Sequence, residues 1–180
     1  MANRILIVPG IGNSGPEHWQ SLWEKTNPAF TRVAQRDWER PVRAEWVAAL
    51  DAAVAASGPN TLLVAHSLGC LAVAHWAATT RRTIRGALLV AVPDPNGPAF
   101  PAEAAGFTQL PRQRLGFDSI VVASEDDPYG SADFAAGVAG DWGSRFVKIG
   151  ARGHLNAASG LGVWPEGLVR LSTLKGYAAA

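Results

Sequence analysis

The sequence predicts an α/β fold: three layers, doubly wound, with a six-stranded and mostly parallel sheet between helices. Three observations carry this expectation. Short apolar, β-branched runs alternate with helix-period segments along all 180 residues, the pattern of repeated βαβ units. The runs are continuously apolar, as in strands buried on both faces of a parallel sheet. Proline or glycine closes the clearest of them, at Pro9-Gly10 and at Pro93. Right-handed crossovers then leave few topologies. The length suits one domain with a continuous core, and no internal repeat or composition shift divides it, so a single domain over 1–180 is expected.

The first strand is Ile5–Val8, followed by the loop Gly10–Gly15 and a helix that Pro16 opens, running to about Lys25 with Trp19, Leu22 and Trp23 on one face. A weaker strand spans Arg32–Gln35. Pro41 starts a second helix whose Val42, Trp46, Leu50 and Val54 repeat at i, i+4 until Gly58-Pro59 ends it. The third strand, Thr61–Ala65, leads into a helix from Leu68 to about Thr79, with Arg81-Arg82 near its end, where cations suit the helix dipole. Ala87–Val92 is the fourth strand. Residues 93–116 are proline-rich and aperiodic, with a helical turn near Ala102–Ala105; a loop this long is expected to shape a binding site. Ser119–Ala123, the helix Ser131–Gly140, the strand Phe146–Ile149 and the helix Pro165–Leu174 complete the order.

Composition excludes several classes. Hydrophobic residues make up 48% and charged residues 17%, a globular balance and not a disordered one. The formal net charge is +1 without a dense Lys/Arg run, so no nucleic-acid partner is expected. Cys70 is the only cysteine, so neither an intrachain disulfide nor a cysteine-based metal cluster can form. Met1-Ala2-Asn3-Arg4 runs straight into a core-like strand, and no apolar stretch suits a signal sequence or a membrane span. These features predict a soluble, cytoplasmic protein without a membrane partner.

The chain is organised around Leu62-Leu63-Val64-Ala65-His66-Ser67-Leu68-Gly69-Cys70-Leu71. This is a strand turning sharply into a helix with one hydroxyl at the bend, close to the nucleophile elbow G-x-S-x-G with Ala65 in place of the first glycine. A serine hydroxyl is a poor nucleophile at neutral pH; it needs a base, an acid to orient that base, and donors for the developing oxyanion. In parallel sheets these groups belong past the carboxyl ends of the strands, in the order Ser, acid, His. Strand five runs into Glu125-Asp126-Asp127-Pro128, and strand six into Gly150-Ala151-Arg152-Gly153-His154. Ser67, Asp127 and His154 are therefore the candidate catalytic residues, and this reading implies no metal or organic cofactor. Asp126 is the second choice for the acid, Glu125 a distant third, and Asp94 a displaced alternative. The Leu68 amide is the expected first oxyanion donor, and the first loop supplies the other, Ile11 ahead of Gly12. Asn13, His18 and Trp19 are candidates to line the pocket, with Trp23, Trp38, Phe100 and Phe107 as further aromatic wall candidates. His66, beside Ser67 in the strand pleat, is expected to point away from it, and His75 to pack in the elbow helix.

Gly10-Ile11-Gly12-Asn13-Ser14-Gly15 also matches G-x-G-x-x-G between a strand and a helix, with Asp37 where a dinucleotide fold places its ribose-binding acid. This alternative is a nucleotide-cofactor oxidoreductase. Against it, Pro16 starts the helix only after the third glycine, and the elbow, Asp127 and His154 stay unexplained. A further alternative is a non-catalytic binding module on the same fold.

Val8-Pro9-Gly10 with Trp19 after it, Ala65-His66-Ser67-Leu68-Gly69, Asp126-Asp127-Pro128, and Gly153-His154-Leu155-Asn156 followed by Trp164-Pro165 together resemble the small α/β-hydrolase-fold serine hydrolases typified by retinoblastoma-binding protein 9. The resemblance runs over nearly the whole chain. It implies a compact hydrolase fold of strand order 2-1-3-4-5-6 without a large cap, and a triad of Ser67, Asp127 and His154. It also implies a small-molecule substrate cleaved at an ester bond, with an amide as second choice. The namesake's L-x-C-x-E motif is not kept: Leu68-Gly69-Cys70-Leu71-Ala72 ends in alanine and falls in the elbow helix, so no such partner is expected.

Overall fold

The structure, a computed structural model, describes residues 4–174; the Met1-Ala2-Asn3 start lies outside the described residues. Strand β1 (Arg4–Val8) is followed by α1 (Trp19–Thr26), β2 (Phe30–Arg32), α2 (Arg43–Ser57), β3 (Thr61–His66), α3 (Leu68–Ala77) and β4 (Gly86–Val90). A 3₁₀ segment at Ala102–Phe107 precedes β5 (Asp118–Ala123), α4 (Ala132–Trp142), β6 (Arg145–Lys148), a short 3₁₀ turn at Ala157–Ser159 and α5 (Pro165–Ser172). The six strands form one sheet in the order β2-β1-β3-β4-β5-β6, and every neighbouring pair is parallel.

Side chains of successive strand residues point to opposite faces, and both faces are covered. Leu6, Val8, Leu63, Ala65, Leu89 and Val121 pack with Trp46, Leu50, Leu71, Trp76 and Val138 from α2, α3 and α4. Ile5, Ile7, Leu62, Val64, Leu88 and Val122 pack on the other side with Trp19 and Trp23 from α1, Trp164 at the N-cap of α5 and Leu171 within it. Double burial is why the central strands read as unbroken apolar runs.

Several boundaries differ from expectation for identifiable reasons. Residues 15–18 form a turn, His18 N–H donating to the Gly15 carbonyl at 3.0 Å, so α1 starts at Trp19 and not at Pro16. Strand β2 occupies Phe30–Arg32 in place of Arg32–Gln35, because its partner β1 pairs only through Ile5–Ile7 and closes at Pro9, which has no N–H to offer. Val42 is extended at the N-cap of α2 and exposed, so it does not share the buried face of Trp46, Leu50 and Val54. The helical turn expected near 102–105 is the 3₁₀ segment. No described helix is long and apolar enough to cross a membrane.

Candidate active site

At the end of β3 the chain leaves the extended region abruptly. Ser67 has φ 54° and ψ −127°, a conformation that side chains rarely adopt and that recurs at functional turns. Its amide donates to the Val90 carbonyl at 2.9 Å, which ties the bend to β4. Two glycines let other backbone approach. A Cβ on Gly10 would sit 2.9 Å from Ser67 Cβ, and one on Gly69 would sit 2.2 Å from the Val8 carbonyl oxygen. Ala65, by contrast, is fully buried without conflict, which explains why alanine serves where the elbow motif has glycine.

The candidate triad residues converge. Ser67 Oγ donates to His154 Nε2 at 2.8 Å. His154 Nδ1 donates to the Asp127 carboxylate, with both oxygens at 2.9 Å. This pairing matches the imidazole tautomer with its proton on Nδ1 and its lone pair toward the serine. Asp127 also accepts the Tyr129 amide at 2.9 Å, and its side chain is almost completely buried. Asp126 faces elsewhere: its Oδ1 accepts Ser124 Oγ–H and the Gly153 amide, each at 2.7 Å, and these donors hold its carboxyl below the usual range. It anchors the histidine loop. Asp94 closes its own turn by accepting the Asn96 amide.

His154 sits between Gly153 and Leu155, at φ 57° and 51°, and its loop is held from two further elements. Trp19 Nε1 donates to the Leu155 carbonyl at 2.8 Å. His66 Nε2 donates to the His154 carbonyl at 2.8 Å. Burial, then the neighbouring His18 and His154, push the His66 pKa well below its usual value, so the ring is neutral. The expectation that His66 points away from Ser67 is therefore corrected: it lines the same cavity. The pleat rule stops at the last strand residue, and the turn at Ser67 re-aims the serine toward the same side.

The cavity is about 240 Å³ and takes in Ile11, Asn13, His18, Leu68, Phe100 and Tyr129 besides Ser67 and His154. Of the residues expected at the pocket, Asn13 and His18 are at its wall. Trp19 is not: it is buried in the core behind the histidine loop and lines no part of the cavity. Trp23 and Phe107 are core as well, Trp38 packs against the core, and only Phe100 of the wider aromatic set reaches the cavity. Tyr129, whose ring lies 4.5 Å from that of His154, Pro93, Pro101 and Asn156 were not anticipated. Tyr129 follows directly from the acid turn, so its position two residues after Asp127 was the available signal.

The two first-loop candidates for the second oxyanion donor differ in how their amides are engaged. Gly12 N–H donates to the Trp38 carbonyl at 2.9 Å, which removes Gly12 from the choice. Ile11 and Leu68 both face the cavity beside Ser67. The loop is fixed from below by Arg32, which donates to the Asn13 side chain and the Ser14 carbonyl while paired with Glu24 at 2.8 Å. Gln20 adds a second tie, accepting Ser14 Oγ–H at 2.6 Å and donating to the Val64 carbonyl at 2.9 Å.

The same loop does not fit a dinucleotide. The helix begins four residues beyond Gly15, at Trp19, so its N-terminus does not open from inside the glycine motif as pyrophosphate binding requires. Asp37 caps its own turn, accepting the Glu39 and Arg40 amides.

This sheet order, with helices on both faces, is the α/β-hydrolase fold. A family model described as serine hydrolase matches residues 5–173, and the chain belongs to that family. A YdeN-like hydrolase from Pectobacterium atrosepticum is similar at 31% identity, over 96% of this chain and 90% of that one, with a TM-score of 0.86. The ydeN gene product of B. subtilis superposes with a TM-score of 0.78 at 20% identity, covering 96% and 98%. A thermophilic esterase from Thermogutta terrifontis gives 0.64 at 15%, covering 95% and 88%; these last two show the fold alone. No curated protein matches the sequence.

Proposed function

We propose that this serine hydrolase cleaves an ester bond of a small molecule, with an amide as the second choice, through an acyl-enzyme formed on Ser67. The observation that carries the reading is the continuous chain Ser67 Oγ, His154 Nε2, His154 Nδ1, Asp127 carboxylate, with each link at 2.8–2.9 Å. His154 takes the serine proton as Ser67 attacks the substrate carbonyl, and Asp127 stabilises the imidazolium that forms. The Leu68 and Ile11 amides hold the tetrahedral oxyanion. His154 then passes its proton to the leaving group, and a water attacking the acyl-enzyme reverses the sequence. The motif likeness to the retinoblastoma-binding protein 9 group supports the same assignment. A fluorophosphonate probe tests it: wild type should be labelled near neutral pH, and Ser67→Ala and His154→Ala should not.

A further inference from the structure

The loop after β1 is tied to the first helix by a single guanidinium. Arg32 ends β2, and all five of its side-chain N–H donors meet an acceptor. Nε and Nη2 donate to Glu24 Oε2 at 3.0 Å and 2.8 Å, and Nη2 also donates to Ser21 Oγ at 2.7 Å, both partners on α1. Nη1 donates to Asn13 Oδ1 and, at 3.0 Å, to the Ser14 carbonyl. A planar fork makes these bonds in fixed directions, which a lysine ammonium cannot reproduce. The Arg32 side chain is 18% exposed, so water competes little for them.

What the loop carries gives this tie its consequence. Gly12 and Asn13 both hold positive φ, 73° and 64°, a conformation uncommon outside glycine. Asn13 Oδ1 supports it locally by accepting the Ser14 amide at 2.8 Å, and Arg32 holds that same oxygen. Three amides of the loop are engaged within the protein: Gly12 with the Trp38 carbonyl, Asn13 with the Gly10 carbonyl, and Ser14 with the Asn13 side chain. The Ile11 amide makes no hydrogen bond among the described residues, and Ile11 lines the cavity beside Ser67. The direction of that amide is therefore set by the bonds that fix Gly12 and Asn13 after it.

We propose that Arg32 is a positioning residue for the hydrolysis: by fixing Asn13 it holds the Ile11 amide where the oxyanion develops. This rests on the reading of Ser67 as the acylated residue and of Ile11 as an oxyanion donor. Acylation and deacylation both pass through a tetrahedral oxyanion. A slackened loop slows both steps and leaves substrate binding alone, so kcat falls while KM holds.

Kinetics on p-nitrophenyl acetate test this, with active enzyme counted by fluorophosphonate titration to completion so that misfolded protein does not enter kcat. Arg32→Lys keeps the charge and loses the fork. It should lower kcat about ten-fold with KM held within about two-fold, a smaller loss than the ~10²–10³-fold cost of removing an oxyanion donor outright. Trifluoroacetone supplies the second reading: Ser67 Oγ adds to its carbonyl carbon as His154 takes the proton, leaving an oxyanion in the same place. Its Ki should rise by the factor by which kcat falls. Asn13→Gly, which keeps positive φ accessible and removes the shared acceptor, should show the same split, and adding Arg32→Lys to it should cost less than about three-fold more. An unchanged kcat in Arg32→Lys, a loss carried by KM, a Ki that does not follow kcat, or a full cost in the double variant overturns the proposal. If Arg32→Lys does not fold, Asn13→Gly decides by its own kcat and Ki. Absence of Ser67-dependent labelling in wild type overturns the underlying reading and this inference together, whereas labelling with turnover that these substitutions leave unchanged overturns this inference alone.

Discussion

Asp126 and Asp127 are neighbours with the same side chain, and only their hydrogen bonds separate their roles. The sequence put both just past β5, and the order Ser, acid, His made one of them the expected acid. What separates them is a matter of ångströms: Asp127 meets His154 Nδ1, and Asp126 holds the Ser124 hydroxyl and the Gly153 amide. Asp127→Asn should lower kcat by about 10⁴-fold through loss of the correct imidazole tautomer. Asp126→Asn keeps an oxygen for the Gly153 amide and should cost less than about ten-fold, the scale of one neutral hydrogen bond. Steady-state kinetics on one p-nitrophenyl ester checks both, and the reverse ranking would move the acid to Asp126. His66 shows where residue-level reading fails. Alternation within a strand predicts side-chain direction only while the backbone stays extended, and Ser67 is where it stops.

The β3–α3 junction depends on close backbone contact. The Gly69 Cα lies so near β1 that an added Cβ would fall 2.2 Å from the Val8 carbonyl oxygen and 2.7 Å from that of Pro9. Backbone on both sides leaves nothing flexible to give way, so Gly69→Ala should destabilise the fold by about 1–3 kcal/mol, as overpacking does. Urea denaturation would measure it; an unchanged midpoint would mean that α3 sits further from β1 than described. Strand and helix existence was legible throughout, because burial on both faces writes continuous apolar runs and burial on one face writes the Trp46, Leu50, Val54 repeat. Element ends were less so. Pro16 is a good first helical residue in isolation, but the Gly15–His18 turn and the His18 cap delay α1 to Trp19. The length of β2 is set by β1, a partner far along no local window.

Taken together, the molecule encloses neutral imidazoles in an α/β frame, and this gives its stability a defined pH dependence. His18 and His66 are both buried with lowered pKa values, His18 down to about 4 from the ordinary 6.5. Below pH 6.5 the unfolded chain binds protons that the folded chain refuses, so stability falls with pH in this window. The His18 contribution is fully present above 6.5 and is lost by about pH 4; at 1.36 kcal/mol per unit the difference of about 2.5 units is on the order of 3 kcal/mol. Asp126 and Asp51, with carboxyls held below their ordinary range, act only at lower pH. Thermal melts should therefore show Tm falling between pH 6.5 and 4.5, and falling less in His18→Asn; a flat Tm in wild type would mean that these rings are solvated in the folded state. The two elements of the fold that the sequence could not connect, the Gly10–Gly15 loop and the His154 loop, meet at the start of α1, where the His18 amide donates to the Gly15 carbonyl and Trp19 Nε1 to the Leu155 carbonyl. Sequence order shows strand ends but not which distant side chains brace them. The central claim is that Ser67 is a nucleophile made reactive by His154, and covalent capture measures it most directly. Wild-type protein treated with a fluorophosphonate near neutral pH should gain one adduct, located by peptide mass spectrometry on Ser67, and the adduct should be absent from Ser67→Ala and strongly slowed in His154→Ala. Folded wild-type protein that gains no adduct, or an adduct that persists in Ser67→Ala, would contradict the account and leave the fold as a binding module.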